Sequence, residues 1–169
     1  MGLPLKLKDM VLTNYGRAYL GDVPSVTMPK LARKFEEWRG AGMDGPVKID
    51  MGGEALDMEW SAGGPLKDVL SQFGATTVDA TFLRFTGAYQ ADDTEDHVAV
   101  EITVRGRHEE IDPGEQKVGE GGEFKMKTAC SYYRLEWNGE TVIEIDRLAR
   151  LFMVNGIDIL AQRRAILGM

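Results

Sequence analysis

The sequence predicts an α+β fold built mainly of antiparallel strands, on three observations. Apolar and polar residues alternate along unusually long stretches, above all "HVAVEITVR" (97–105) and "EFKMKTACSYYRLEW" (123–137). Asn138-Gly139 joins the second stretch to "ETVIEID", and an Asn-Gly pair between alternating runs is a strong hairpin signal. Helical periodicity is confined to two segments, so strands and helices do not alternate as they do around a parallel sheet.

Along 97–105, Val98, Val100, Ile102 and Val104 fall on one face, and His97, Glu101, Thr103 and Arg105 fall on the other. In 123–137 the phase changes. Phe124 and Met126 share one parity while Tyr133, Leu135 and Trp137 share the other, which predicts a bulge or a sheet switch near Ala129 to Ser131. "NYG" at 14–16 reads as a further hairpin turn. Helix is predicted over 64–74, where Pro65 occupies the first turn, Leu66, Val69, Leu70 and Phe73 follow helical spacing, and Gly74 marks the stop. A second helix is predicted over 155–168, capped by Asn155 or Asp158 and closed by Gly168. Between the early strands lies a glycine-rich loop, residues 36–52. A strand of about 15 residues spans about 50 Å, more than a domain of this size needs. Such strands suit a sheet continued by neighbouring subunits.

The 169 residues fit a single domain, with no repeat, linker or low-complexity tract. The net charge of −7 argues against a protein that clamps nucleic acid, but not against a surface that nucleic acid slides past. Cys130 is the one cysteine, so neither an internal disulfide nor a thiolate zinc site can form. No apolar run approaches a signal peptide or a membrane span, and Leu7 stands where a myristoylation signal wants Ser or Thr. A soluble chain assembled in cytoplasm is expected.

Enzyme templates fail in turn. Gly40, Gly42 and Gly45 have the spacing of a dinucleotide-binding loop, but Pro46 and a short β-like segment follow where a helix should open. His97 and His108 make a thin ligand set and read as solvated or edge-strand histidines. "DDTED" (92–96) lacks the glycine and terminal glutamate of a calcium loop and reads as a solvated hairpin tip. Ser61, Ser71 and Ser131 sit in no nucleophile elbow. Neither catalytic residues nor a cofactor or metal site is expected.

Six segments carry a resemblance: "GDVPSVTMPKL" (21–31), "EEWRGAGMDGPVKIDMG" (36–52), "ALDMEWSAGG" (55–64), "VAVEITVRGRHEEIDPGEQKVGE" (98–120), "YYRLEWNGETVIEID" (132–146) and "VNGIDILAQRR" (154–164). Running in order over nearly the whole chain, they resemble the major tail tube proteins of contractile-tailed bacteriophages and the tube proteins of R-type pyocins. The resemblance implies a tail-tube-type β-sandwich or partial barrel with one packed helix and a short C-terminal helix. It implies hexameric rings whose long hairpins close into an inner β-barrel, stacked as a hollow tube within a contractile sheath. The tube of a phage conducts DNA, and that of a pyocin punctures the envelope. Implied partners are further copies of the chain, the sheath, the baseplate and the tail terminator, with DNA passing unbound, in a virion tail assembled in the host cytoplasm.

On this resemblance the loop at 36–52 reaches an adjacent ring, with Glu37, Arg39, Asp44, Lys48 and Asp50 for polar pairing and Trp38 and Met43 as apolar anchors. Lumen-facing candidates are Glu101, Thr103, Arg105, Glu136, Thr141 and Glu144, and six copies would bring 6 × −7 = −42 formal charges to a ring. Two alternatives stay open: the inner tube of a type VI secretion apparatus, and a ligand-binding β-sandwich or enzyme with a concave pocket.

Overall fold

A computed structural model describes residues 2–169. Its strands are β1 (Lys6–Asn14), β2 (Arg17–Ala18), β3 (Ser25–Thr27), β4 (Arg33–Trp38), β5 (Val47–Gly53), β6 (Leu56–Ala62), β7 (Thr81–Gln90), β8 (His97–Asp112), β9 (Phe124–Trp137), β10 (Glu140–Asp146), β11 (Leu151–Val154) and β12 (Ile157–Asp158). Two short helices, α1 (Lys67–Ser71) and α2 (Ala161–Leu167), complete it. The main sheet runs β12-β11-β10-β9-β8-β7-β1-β2 with every pairing among the described residues antiparallel, and β6 joins it by pairing with β9 on one side and β3 on the other. β4 and β5 form a separate two-stranded sheet.

The phase change in β9 is a bulge. Arg105 pairs with Tyr132 but Gly106 pairs with Cys130, so Ser131 is the extra residue. Beyond it β9 leaves β10 and pairs with β6, which turns the sheet from one layer into the next. The backbones approach closely at this fold: a Cβ on Gly106 would lie 1.9 Å from the carbonyl oxygen of Ala129. Glycine is required there. The two layers and α1 enclose one core that includes Leu12, Met58, Trp60, Val69, Leu83, Phe85, Val104, Met126, Tyr133 and Ile145.

Asn138 and Gly139 take positive φ values of 49° and 82°, as a two-residue hairpin demands. Tyr15-Gly16 makes the same kind of turn between β1 and β2, as the sequence predicts. The helices differ from expectation. Helix covers only 67–71 of the predicted 64–74, because Leu66 is extended and the chain leaves helical hydrogen bonding after Ser71. The predicted 155–168 helix begins at Ala161, because Asn155-Gly156 is a second Asn-Gly hairpin turn, joining β11 to β12. Asn155 therefore caps nothing, and Asp158 accepts from the Leu160 N–H before the helix starts. Gly168 closes the helix in the left-handed region, as predicted.

His108 also departs from expectation, being 5% exposed. The Asn14 amide nitrogen lies 2.9 Å from Gln72 Oε1, the Gln72 amide donates back to Asn14 Oδ1 at 3.1 Å, and Asn14 also reaches the Tyr19 hydroxyl. His108 Nε2 lies 3.0 Å from the same Gln72 oxygen, which can only accept, so the ring donates there. Nδ1 then accepts from the Thr128 hydroxyl at 3.0 Å. Burial holds the His108 pKa down at about 4. The chain of polar groups ties the end of α1 to β1, β8 and β9.

Candidate assembly surfaces

The six predicted lumen residues gather on one surface, the side of the β8-β9-β10 sheet away from the core. Glu101 stands opposite Glu136, Arg105 opposite Tyr132, Thr141 opposite Glu136 and Glu144 opposite Arg134. Thr103 belongs to this face by register but not by access. It lies between Arg84 and Arg134 and is 3% exposed, because long arginine side chains flank it on both neighbouring strands.

Ion pairs organise the surface. Arg84 pairs with Glu101, Arg134 Nε lies 2.8 Å from Glu136 Oε1 without hydrogen-bond alignment, and the Tyr132 hydroxyl donates to Glu144 Oε2 at 2.7 Å. Burial, then the bond to Glu144, pushes the Tyr132 phenol up to about 12, so it remains a donor at neutral pH. The Arg105 guanidinium sits 5.1 Å from the Tyr132 ring centre and 5.7 Å from that of Phe82. By register Asp146, opposite Tyr132, and Arg107, two residues beyond Arg105, also share this face, so four guanidiniums (84, 105, 107, 134) stand with four carboxylates (101, 136, 144, 146) and the patch is balanced in charge and not acidic. The sequence reading missed Arg84, Tyr132 and Arg134. Their alternation with Thr86 on β7 and Glu136 on β9 was the available signal.

The other predicted site changes its secondary structure. Residues 36–52 are not a loop; they belong to the β4-β5 hairpin, an arm whose turn spans 39–46. Val47, Ile49 and Met51 alternate with Lys48 and Asp50, which is the strand signal inside the segment. By register, Glu36 and Trp38 share a face with Val47, Ile49 and Met51, while Phe35, Glu37, Lys48 and Asp50 share the reverse face. Trp38 is 59% exposed, Met51 55%, Phe35 53% and Ile49 45%. Glu37, Lys48 and Asp50 are thus brought together, whereas Trp38 stands on the opposite face and Arg39, Met43 and Asp44 belong to the turn.

At the turn the Met43 N–H donates to Gly40 O at 3.2 Å, and Arg39 Nε donates to Met43 O at 3.2 Å. Of the three spaced glycines only Gly42 has positive φ, at 86°. Strand β5 follows the turn, so no helix N-terminus exists there to receive a phosphate.

Other features are chemically quiet. Burial pushes the Cys130 thiol up to about 12. Among the described residues no group of three or more His, Cys, Asp or Glu is placed to hold a metal ion, and no helix is long and apolar enough to cross a membrane. An open cleft of about 340 Å³ runs past Glu59, Trp60, Glu110, Asp112, Glu123 and Lys125.

The model of the phage tail tube protein FII family matches residues 4–168. The chain belongs to the phage tail tube protein FII family. Across 172 aligned residues, covering all of both chains, it is 47% identical to the tail tube protein of Escherichia phage P2. It is 34% identical to the major tail tube protein of Serratia phage KSP20, with 96% of this chain and 95% of that one covered. In solved structures the fold resembles the tube-terminating cap of the anti-feeding prophage, with TM-score 0.61, 10% identity, and 80% and 93% coverage. It also resembles a chain of the PVC sheath-tube complex of an extracellular contractile injection system, with TM-score 0.60, 8% identity, and 79% and 91% coverage. The family assignment favours a phage tail tube over the type VI alternative.

Proposed function

We propose that this FII-family chain is the structural, non-enzymatic subunit of a contractile phage tail tube, residues 1–169 forming one tube domain whose hexameric rings stack through the arm. The observation that carries the assembly reading is the arm itself. It is a two-stranded hairpin whose apolar side chains stand in water, and such a hairpin needs a further surface to be stable. The main sheet also ends in open edges: β2 covers only Thr13 and Asn14 of β1, and β12 has two residues. Unpaired edges can continue a sheet into neighbouring copies and close a barrel.

In this assembly the balanced face of β8, β9 and β10 lines the lumen, presenting Glu101, Arg105, Glu136, Thr141 and Glu144 with Arg84 and Arg134. DNA would slide because the arginines are already paired with carboxylates or stacked on rings, so few free cations face its phosphates. Sheath, baseplate and terminator proteins are the heterologous partners, and the virion tail is the site of action.

Electron microscopy of the purified protein tests the proposal. Hollow rods are expected for the natural chain, and for a chain lacking 40–45 folded subunits that build no long tubes. Discrete monomers of the natural chain under polymerising conditions, or tubes of ordinary length from the deletion, would overturn it. A cryo-EM map with a lumen lined mainly by unpaired Lys and Arg would refute the lumen assignment.

A further inference from the structure

The arm meets the body through two arginines, one from each side. Arg33, in β4, donates from Nε to Asp50 Oδ2 across the arm at 3.0 Å, and its guanidinium lies 5.0 Å from the centre of the Phe152 ring on β11. Arg147 follows β10. Its backbone N–H donates to the carbonyl of Ser131, the bulge residue, at 3.0 Å, and its Nη2 donates to the carbonyl of Glu54, just past the arm, at 3.1 Å. The guanidinium lies against Gly53. An alanine Cβ at that position would stand 2.4 Å from Nη1 and 2.5 Å from Nη2. Ala32 and Glu54 close the root with a backbone hydrogen bond of 3.0 Å, over a small apolar cleft of about 140 Å³ bordered by Leu31, Leu56, Ile143 and Phe152.

We infer that Arg147 is a positioning residue that clamps the root of the arm against the sheet, with the missing side chain of Gly53 as the slot for its guanidinium. Rigid aim matters because, among the described residues, the strong contacts of β4 and β5 are with each other. A hairpin pivoting at its root would sweep its tip through many directions, and ordering it would cost conformational entropy each time a ring is added. Clamping it beforehand removes that cost. The functional half of this inference rests on the stacking role proposed above.

The test separates the two. Spin labels at Asp44→Cys and Glu140→Cys, in a Cys130→Ala background, report the distance from arm tip to body by pulsed electron resonance in unassembled subunits. The parent should give a narrow distribution. Arg147→Ala and Gly53→Ala should each at least double its width, and Gly53→Ala should add nothing once Arg147 is alanine, since both act on one contact. The thermal midpoint should stay within a few degrees, and mean tube length should fall about tenfold in either variant. An unchanged distribution in Arg147→Ala overturns the clamp. A broadened distribution with tubes of normal length overturns its role in assembly. Normal tubes from the 40–45 deletion would instead remove the stacking reading and leave the distance result intact.

Discussion

The two most prominent hairpins of the molecule follow opposite rules. In β8-β9 every device of self-sufficient folding is present: a buried apolar face, a bulge that turns the sheet, a glycine where backbones touch, and a polar face whose charges are paired. In β4-β5 the apolar residues Trp38, Val47, Ile49 and Met51 face water, and both sheet edges are bare. One hairpin is stabilised by its own chain. The other leaves Trp38, Ile49 and Met51 exposed, and on the stacking proposal another copy covers them, so the same alternating pattern serves a core in one place and would serve an interface in the other.

Substitutions should divide along that line. The largest effect belongs to Gly106→Ala, whose Cβ would overlap the Ala129 carbonyl oxygen at 1.9 Å. A loss of about 4 kcal/mol or more is expected in urea unfolding, and a tolerated alanine would break the account of the bulge. Next comes pH. His108 has a folded pKa of about 4 against an ordinary 6.5, so the unfolded chain binds the extra proton between these values. Its stabilisation is whole above pH 6.5 and falls by about 3 kcal/mol as pH drops to 4. Unfolding free energies across that range should lose this component in His108→Gln, and a slope unaltered by the substitution would show that other groups supply it.

Smaller effects test the surfaces. Glu136→Gln removes the partner of half-exposed Arg134 and should cost about 1 kcal/mol, measured by thermal unfolding; a cost several times larger would make the polar face a structural core in its own right. The smallest stability change belongs to the arm. Trp38→Ser with Ile49→Ser should move the unfolding free energy by less than about 0.5 kcal/mol while electron microscopy finds no long tubes. If that pair unfolded the subunit, the contrast between the hairpins would collapse.

Much of β8, β9 and β10 was legible because Val100 to Val104, Tyr133 to Trp137 and Ile143 to Ile145 each alternate apolar with polar residues and Asn138-Gly139 joins two of these runs in a tight hairpin. The site was legible in part. Parity put Glu101, Thr103 and Arg105 together on β8, but Thr141 and Glu144 differ in parity and share that face only through the register shift between Thr141 and Ile143; nor could it show that Arg84 and Arg134 cover Thr103, because packing across strands is not written along any one of them. Residues 36–52 read as a loop because their glycines outweighed the alternation of Val47, Ile49 and Met51. The buried state of His108 was hidden for a similar reason: its partners Gln72 and Thr128 are 36 and 20 residues away.

The sequence by itself determined the antiparallel class, the turns at Tyr15-Gly16 and Asn138-Gly139, the bulge before Tyr132 and the kinship with tail tube proteins. These are local signals, or patterns whose period survives in any compact arrangement. Tertiary structure alone decided which strands share an edge, which arginine covers which neighbour, and where the arm is held. Those outcomes depend on residues far apart in the chain meeting at contact distance, and nothing in the sequence of Gly53 announces that a guanidinium from residue 147 will occupy the space where its side chain would be.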